Sequence, residues 1–164
     1  MSAPILELVS LTAGYGSNPI VHDFSTRLAV GTITTLIGGN GAGKSTLLRA
    51  IYGANRWFSG QVVFRGEPVE HLAPWDRFKR GIGFVPQGRC NFAAMTVSEN
   101  LKMGCYTLAS MKHAAAIERV TTQFPLLKAK WRTLAGNLSG GEQQILEMAM
   151  VLSLIHISEP TRPY

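Results

Sequence analysis

The consecutive residues Gly38-Gly39-Asn40-Gly41-Ala42-Gly43-Lys44-Ser45-Thr46 gather the groups needed to hold a polyphosphate. They fit the pattern G-x-x-x-x-G-K-[ST], whose glycines let the main chain approach phosphate and turn several N–H groups toward it. Lys44 would bring an ammonium to the β- and γ-phosphates. The Ser45 hydroxyl would complete a Mg²⁺ shell otherwise filled by phosphate oxygens and water. Thr46 adds a candidate hydrogen bond to the α-phosphate. Far downstream, Leu138-Ser139-Gly140-Gly141-Glu142 holds a second anion-binding pattern. Ser139 and Glu142 form a capping box, and the helix it starts offers exposed N–H groups and the positive end of a dipole.

These loops need elements to position them. Ile33-Thr34-Thr35-Leu36-Ile37 is a β-branched run leading into the phosphate loop, and Leu47, Leu48 and Ile51 recur at helical spacing until Gly53. Strand, loop and helix thus follow in the required order. Ile5-Leu6-Glu7-Leu8-Val9 and Asp23-Phe24-Ser25-Thr26-Arg27-Leu28 are predicted strands flanking a turn at Gly14 to Pro19, which makes a small N-terminal β-layer. Further strands are expected at Gln61 to Phe64, before the Arg65-Gly66 turn, and at Gly81 to Val85, stopped by Pro86. From about Gly88 to Asn137 the pattern is helical. Thr96-Val97-Ser98-Glu99 is a capping box there, and Ile117, Val120 and Phe124 form an apolar stripe expected to pack rather than to bind; His113 beside it is expected to be solvated.

Length and composition narrow the setting. A chain of 164 residues with 46% hydrophobic residues suits one domain, or a piece of one, with a real core. The net charge of +6 is spread along the chain without a basic run, which argues against nucleic acid and suits an anionic nucleotide and a membrane-side partner. Cys90 and Cys105 match no metal spacing and are expected as free thiols. No basic segment leads into an apolar one at the start, and no apolar run reaches membrane-spanning length, so a cytoplasmic chain is expected.

The two glycine-rich runs together resemble those of ABC transporter ATPases. The resemblance implies an α/β fold: a P-loop NTPase core with an N-terminal antiparallel β-layer and a helical subdomain, incomplete at the C-terminus. In that family an aromatic residue at the position of Tyr15 stacks on adenine, a contact worth roughly 1–3 kcal/mol per base in nucleic-acid systems. Phe84-Val85-Pro86-Gln87-Gly88-Arg89 resembles the family's Q-loop, which makes Gln87 the candidate Mg²⁺ contact and γ-phosphate sensor. The run Cys90 to Met95 would then border a groove for a permease helix. Leu138 to Glu142 is similar to the signature run, which faces the ATP of a partner subunit, so two chains would sandwich two ATP molecules. The stretches Thr35 to Lys44, Met95 to Leu101 and Phe124-Pro125-Leu126-Leu127 are most similar to ATPases of branched-chain amino-acid and urea importers. The resemblance therefore implies ATP and Mg²⁺ as ligands, a second ATPase subunit, identical or homologous, permease subunits and indirectly a solute-binding protein as partners, and a place on the inner face of the plasma membrane. A soluble ABC protein of translation or DNA repair is the rival reading, although it would need a tandem second domain or a long coiled coil.

Where the family has an apolar strand ending in Asp-Glu-Pro, this chain has Leu154-Ile155-His156-Ile157-Ser158-Glu159-Pro160-Thr161. Ser158 would replace the Mg²⁺-binding aspartate and Glu159 would stand at the general base, yet the segment arrives several residues early. Glu159 is set aside, and no catalytic residue is assigned. Leu152 to Arg162 instead resembles the translation of an adapter used in transposase-based sequencing libraries, so residues 152–164 are expected to be a non-native tail. The expected division is 1–87 for the β-layer and nucleotide core, 88–137 for the helical subdomain and 138–151 for the signature helix. A non-hydrolysing nucleotide-binding module is the reading if that terminus is native.

Overall fold

The computed structural model describes residues 3–155 except 89 and 107, and the side chains of Ser110, Leu154 and Ile155 are outside the description. Two compact units divide the chain, residues 1–78 and 79–164.

The first unit is built on a four-stranded antiparallel sheet in the order β2-β1-β3-β4, with β1 at Leu6–Tyr15, β2 at Asn18–Leu28, β3 at Arg56–Phe64 and β4 at Glu67–Pro68. In β1 the buried residues are Leu6 and Leu8, then Leu11 and Ala13. That sequence of positions skips one step of the two-residue period. The step falls where the pairing register shifts, between Leu8 and Leu11, and where Ser10 takes φ 48°. An inserted bulge residue is what keeps both apolar pairs on one face. The Ser10 N–H, out of register with the ladder, donates to Ser25 Oγ at 2.8 Å. Helix α1, Lys44–Tyr52, packs against β1, β2 and β3 through Leu47 and Ala50.

At the carboxyl end of α1 the chain turns through Gly53 in the left-handed conformation. Arg77, on the short helix α2 (Pro74–Lys79), is buried against this end. Its guanidinium donates to the carbonyls of Ala50, Ile51, Glu70 and Leu72 at 2.7 to 3.1 Å. The cation thus sits where the helix dipole is negative, adding a donor to the last-turn carbonyls of Ala50 and Ile51.

The second unit is helical: α3 at Val97–Gly104, α4 at Ser110–Gln123, α5 at Pro125–Ala129, a 3₁₀ turn at Ala135–Asn137 and α6 at Gly140–Ile155. Val97, Leu101, Val120, Leu127, Leu138, Leu146 and Ala149 form its core, and the predicted stripe joins it through buried Val120 with Ile117 and Phe124 packed alongside. Both predicted capping boxes are present. Thr96 accepts from the Glu99 N–H while Glu99 accepts from the Thr96 N–H, and Ser139 and Glu142 do the same. Cys90 and Cys105 are free thiols. His113 is half-buried rather than solvated, with Nε2 at 3.0 Å from the Leu108 carbonyl.

Two expected strands do not form. Residues 32–39 and 82–86 take no regular secondary structure and belong to no sheet among the described residues, and Ile33 and Ile37 stand 99% and 88% exposed. β-Branched residues favour a strand only when a neighbouring strand takes up the backbone groups, and no described strand pairs with either segment.

Candidate functional site

In the first unit the phosphate loop runs directly into α1. Gly43 caps that helix at φ 84°, a left-handed conformation, and among the described residues no side-chain cap hydrogen bond closes the helix start. A Cβ at this position would be strained by that conformation and would also stand 3.3 Å from the Val21 side chain, which would have to give by a few tenths of an ångström. The uncapped first turn leaves N–H donors and the positive dipole end open to an anion. Ser45 is exposed on that turn, whereas Thr46 is buried, its carbonyl accepting from Asn55 Nδ2 at 2.9 Å.

Lys44 folds back along its own loop, with Nζ donating to Gly38 O at 2.7 Å and Gly39 O at 2.6 Å. An ammonium has three donors, so the grip on the loop engages two of them. Beside the loop a cavity of about 350 Å³ opens between β2 and the loop, lined by Ile20, His22, Phe24, Ile37, Gly43 and Lys44 among others.

Tyr15, the last residue of β1, belongs to the same unit and is exposed. Its hydroxyl accepts from Arg49 Nη1 at 3.0 Å, and Arg49 is in the last turn of α1. The Arg49 guanidinium, with a smaller part from the Thr46 side chain, holds the phenol below its ordinary value. Neither Arg49 nor this tie was singled out in the sequence, because the two residues are 34 apart and nothing local relates them.

Gln87 and the signature run lie in the second unit. Gln87 is exposed in a bend before Gly88, whose φ is 111°. The segment that follows is anchored on α6: buried Glu147 accepts from the Cys90 N–H at 2.7 Å and from Asn91 Nδ2 at 2.9 Å. Asn100 of α3 then clamps the next turn, accepting from the Phe92 N–H and donating to Phe92 O. Gly140 and Gly141 open α6, and space for a side chain is clear at both. At that helix start Lys130 Nζ meets Glu142 Oε1 at 2.6 Å. Lys130 first, and then the Ser139 N–H, draw the Glu142 carboxyl below its ordinary value.

Among the described residues no group of three or more His, Cys, Asp or Glu could hold a metal ion. Glu159 lies outside the described residues. The profile of the ABC transporter family matches residues 21–155, which takes in the phosphate loop, Gln87 and the signature run. The chain belongs to the ABC transporter family. Its relatives include the "Probable branched-chain amino acid transport ATP-binding protein LivF" of Archaeoglobus fulgidus, 40% identical, with 96% of this chain and 68% of the relative covered. The "High-affinity branched-chain amino acid transport ATP-binding protein BraG" of Pseudomonas aeruginosa is 36% identical over 96% of this chain and 69% of its own length. Among solved structures, an ATP-binding cassette of an ABC transporter in its ADP conformation matches with a TM-score of 0.77 at 26% identity, covering 93% of this chain and 66% of that one. A nucleotide-free cassette matches with a TM-score of 0.76 at 24% identity, covering 92% and 65%. The chain thus spans about two thirds of the length of each of these four proteins. ATP is the ligand of this family of ABC cassettes. Among the described residues no helix is long and apolar enough to cross a membrane.

Proposed function

We propose that this chain belongs to the ATP-binding subunit of an ABC importer, whose full-length parent couples ATP binding and hydrolysis to transmembrane transport of branched-chain amino acids, while residues 1–164 supply the nucleotide-binding groups without a catalytic carboxylate. The observation that carries the reading is the start of α1: an uncapped helix end entered through a left-handed glycine, with Lys44 bound to the carbonyls of the same loop. The first-turn N–H groups take the phosphates, and Lys44 exchanges its hold on Gly38 O and Gly39 O for phosphate oxygens. Tyr15 carries the base. Mg²⁺, when bound, neutralises charge on the β- and γ-phosphates. Ser45 would hold it, and a single hydroxyl suits the ion, since Mg²⁺ keeps phosphate and water ligands and needs few from protein; Gln87 is the proposed γ-phosphate sensor.

The capped start of α6, Leu138 to Glu142, serves as a second anion site, for the ATP of a partner subunit of identical or homologous sequence. The further partners are permease subunits, at the cytoplasmic face of the plasma membrane, and through them a solute-binding protein. The functional division is that of residues 1–87, 88–137 and 138–151, with 152–164 as a non-native tail, although residues 152–155 continue α6 and 156–164 lie outside the described residues. The names of LivF and BraG support the choice of solute.

Calorimetric titration of the chain with Mg²⁺-ATP tests the core of the reading. Binding is expected, and Lys44→Ala should abolish it while the circular dichroism spectrum is kept; unchanged affinity in the variant would refute the assignment. Uptake of labelled leucine by cells carrying Lys44→Ala should fall while ribose uptake holds.

A further inference from the structure

We infer that Arg49 is a positioning residue for nucleotide recognition, fixing the Tyr15 ring on α1 so that the site distinguishes ATP from a polyphosphate that carries no base. The inference rests on the proposed role of Tyr15 as the adenine platform. Tyr15 ends β1 at the tip of a hairpin, exposed, and a tyrosine there would ordinarily sample several rotamers. Two arginines remove that freedom. Arg56 Nη1 donates to Gly16 O at 2.9 Å and ties the turn to the start of β3. Arg49 Nη1 donates to the Tyr15 hydroxyl at 3.0 Å and ties the ring itself to α1.

The second tie matters for recognition because of where Arg49 comes from. α1 begins at Lys44, at the phosphate cradle, and Arg49 is on its last turn. A helix rises 1.5 Å per residue, so the two residues are separated by about 7.5 Å along one rigid axis. The same helix therefore sets both the phosphate end and the base end of the site, and the guanidinium transmits that spacing to the ring. A platform ordered before the ligand arrives saves the cost of ordering it on binding. That saving applies to a ligand with a base and to no other. The lowered phenol value is what the same donor would cause.

Titration of the full chain with ATP and with inorganic tripolyphosphate, each with Mg²⁺, separates the outcomes. Arg49→Met keeps a long side chain and a good helix former but removes the donor. It should weaken ATP by roughly three- to tenfold, the range for losing one exposed hydrogen bond that orders a side chain, and leave tripolyphosphate affinity unchanged. Tyr15→Phe keeps the ring, removes the acceptor and should give the same loss. The double variant should lose no more than either single one. Equal weakening of ATP and tripolyphosphate by Arg49→Met would make Arg49 a mere phosphate attractor and overturn the inference, as would full ATP affinity in Tyr15→Phe. A native chain that binds the two ligands equally well would instead overturn the role of Tyr15 itself, and one that binds neither would overturn the nucleotide site.

Discussion

At the scale of residues, Glu142 shows how much one side chain in the signature run does. Its carboxylate closes the capping box on the Ser139 N–H and pairs with Lys130, so the negative charge at the start of α6 is balanced locally and does not oppose an incoming anion. Both contacts favour the ionised form and lower its proton affinity in the folded chain. The stabilisation is therefore present above the ordinary value of 4.5 and is lost as pH falls through the lowered one. Glu142→Gln should be less stable than the native chain at neutral pH, and the gap should close under acid. Denaturant melts across that range check this; a gap that persists in acid contradicts it. The two capping boxes were legible in the sequence because each lies within four residues of chain. The pairs Arg49 with Tyr15 and Glu147 with Asn91 were not, being 34 and 56 residues apart and joined only by the fold.

At the scale of elements, α1 is held at both ends. Gly53→Ala would force a left-handed alanine, and its Cβ would stand 2.9 Å from the Arg77 guanidinium. Strain and collision act together, so a loss of about 1–3 kcal/mol is expected. Arg77→Met should cost more, about 2–4 kcal/mol, because the carbonyls of Ile51, Glu70 and Leu72 lose the guanidinium donor and that of Ala50 keeps only the Gly53 N–H. Urea unfolding monitored by fluorescence ranks the two, and an Arg77→Met chain of native stability would show that the brace carries no energy. The helices were the legible elements, since Leu47, Leu48, Ile51 and Val120 repeat with a period a helix makes locally. Ile33 to Ile37 and Gly81 to Val85 misled for the opposite reason. A strand is a property of two segments, and only one of each pair was in view.

At the scale of the whole molecule, those unpaired segments are the liability. Val30, Ile33 and Ile37 expose apolar side chains along backbone that no described strand covers. Such a stretch favours association with other chains. Ile33→Lys and Ile37→Lys together should lower light scattering of the concentrated chain without lowering its melting temperature; scattering that stays the same would place the association elsewhere.

Seen as topology, Arg77 is a non-covalent cross-link. It joins positions 27 residues apart and closes the chain from Ala50 to α2, including β3 and β4, into a loop. The entropy of closing a loop grows only with the logarithm of its length, by about 0.6 kcal/mol per doubling. The exposed turn at Arg65-Gly66 lies inside that loop and away from its knot. Extra residues should therefore be accepted there with little change in stability, while the same insertion after Gly53 would untie the knot. The Arg65-Gly66 turn is thus the place to graft a reporter peptide or an affinity tag onto this chain without disturbing the helix that carries Lys44.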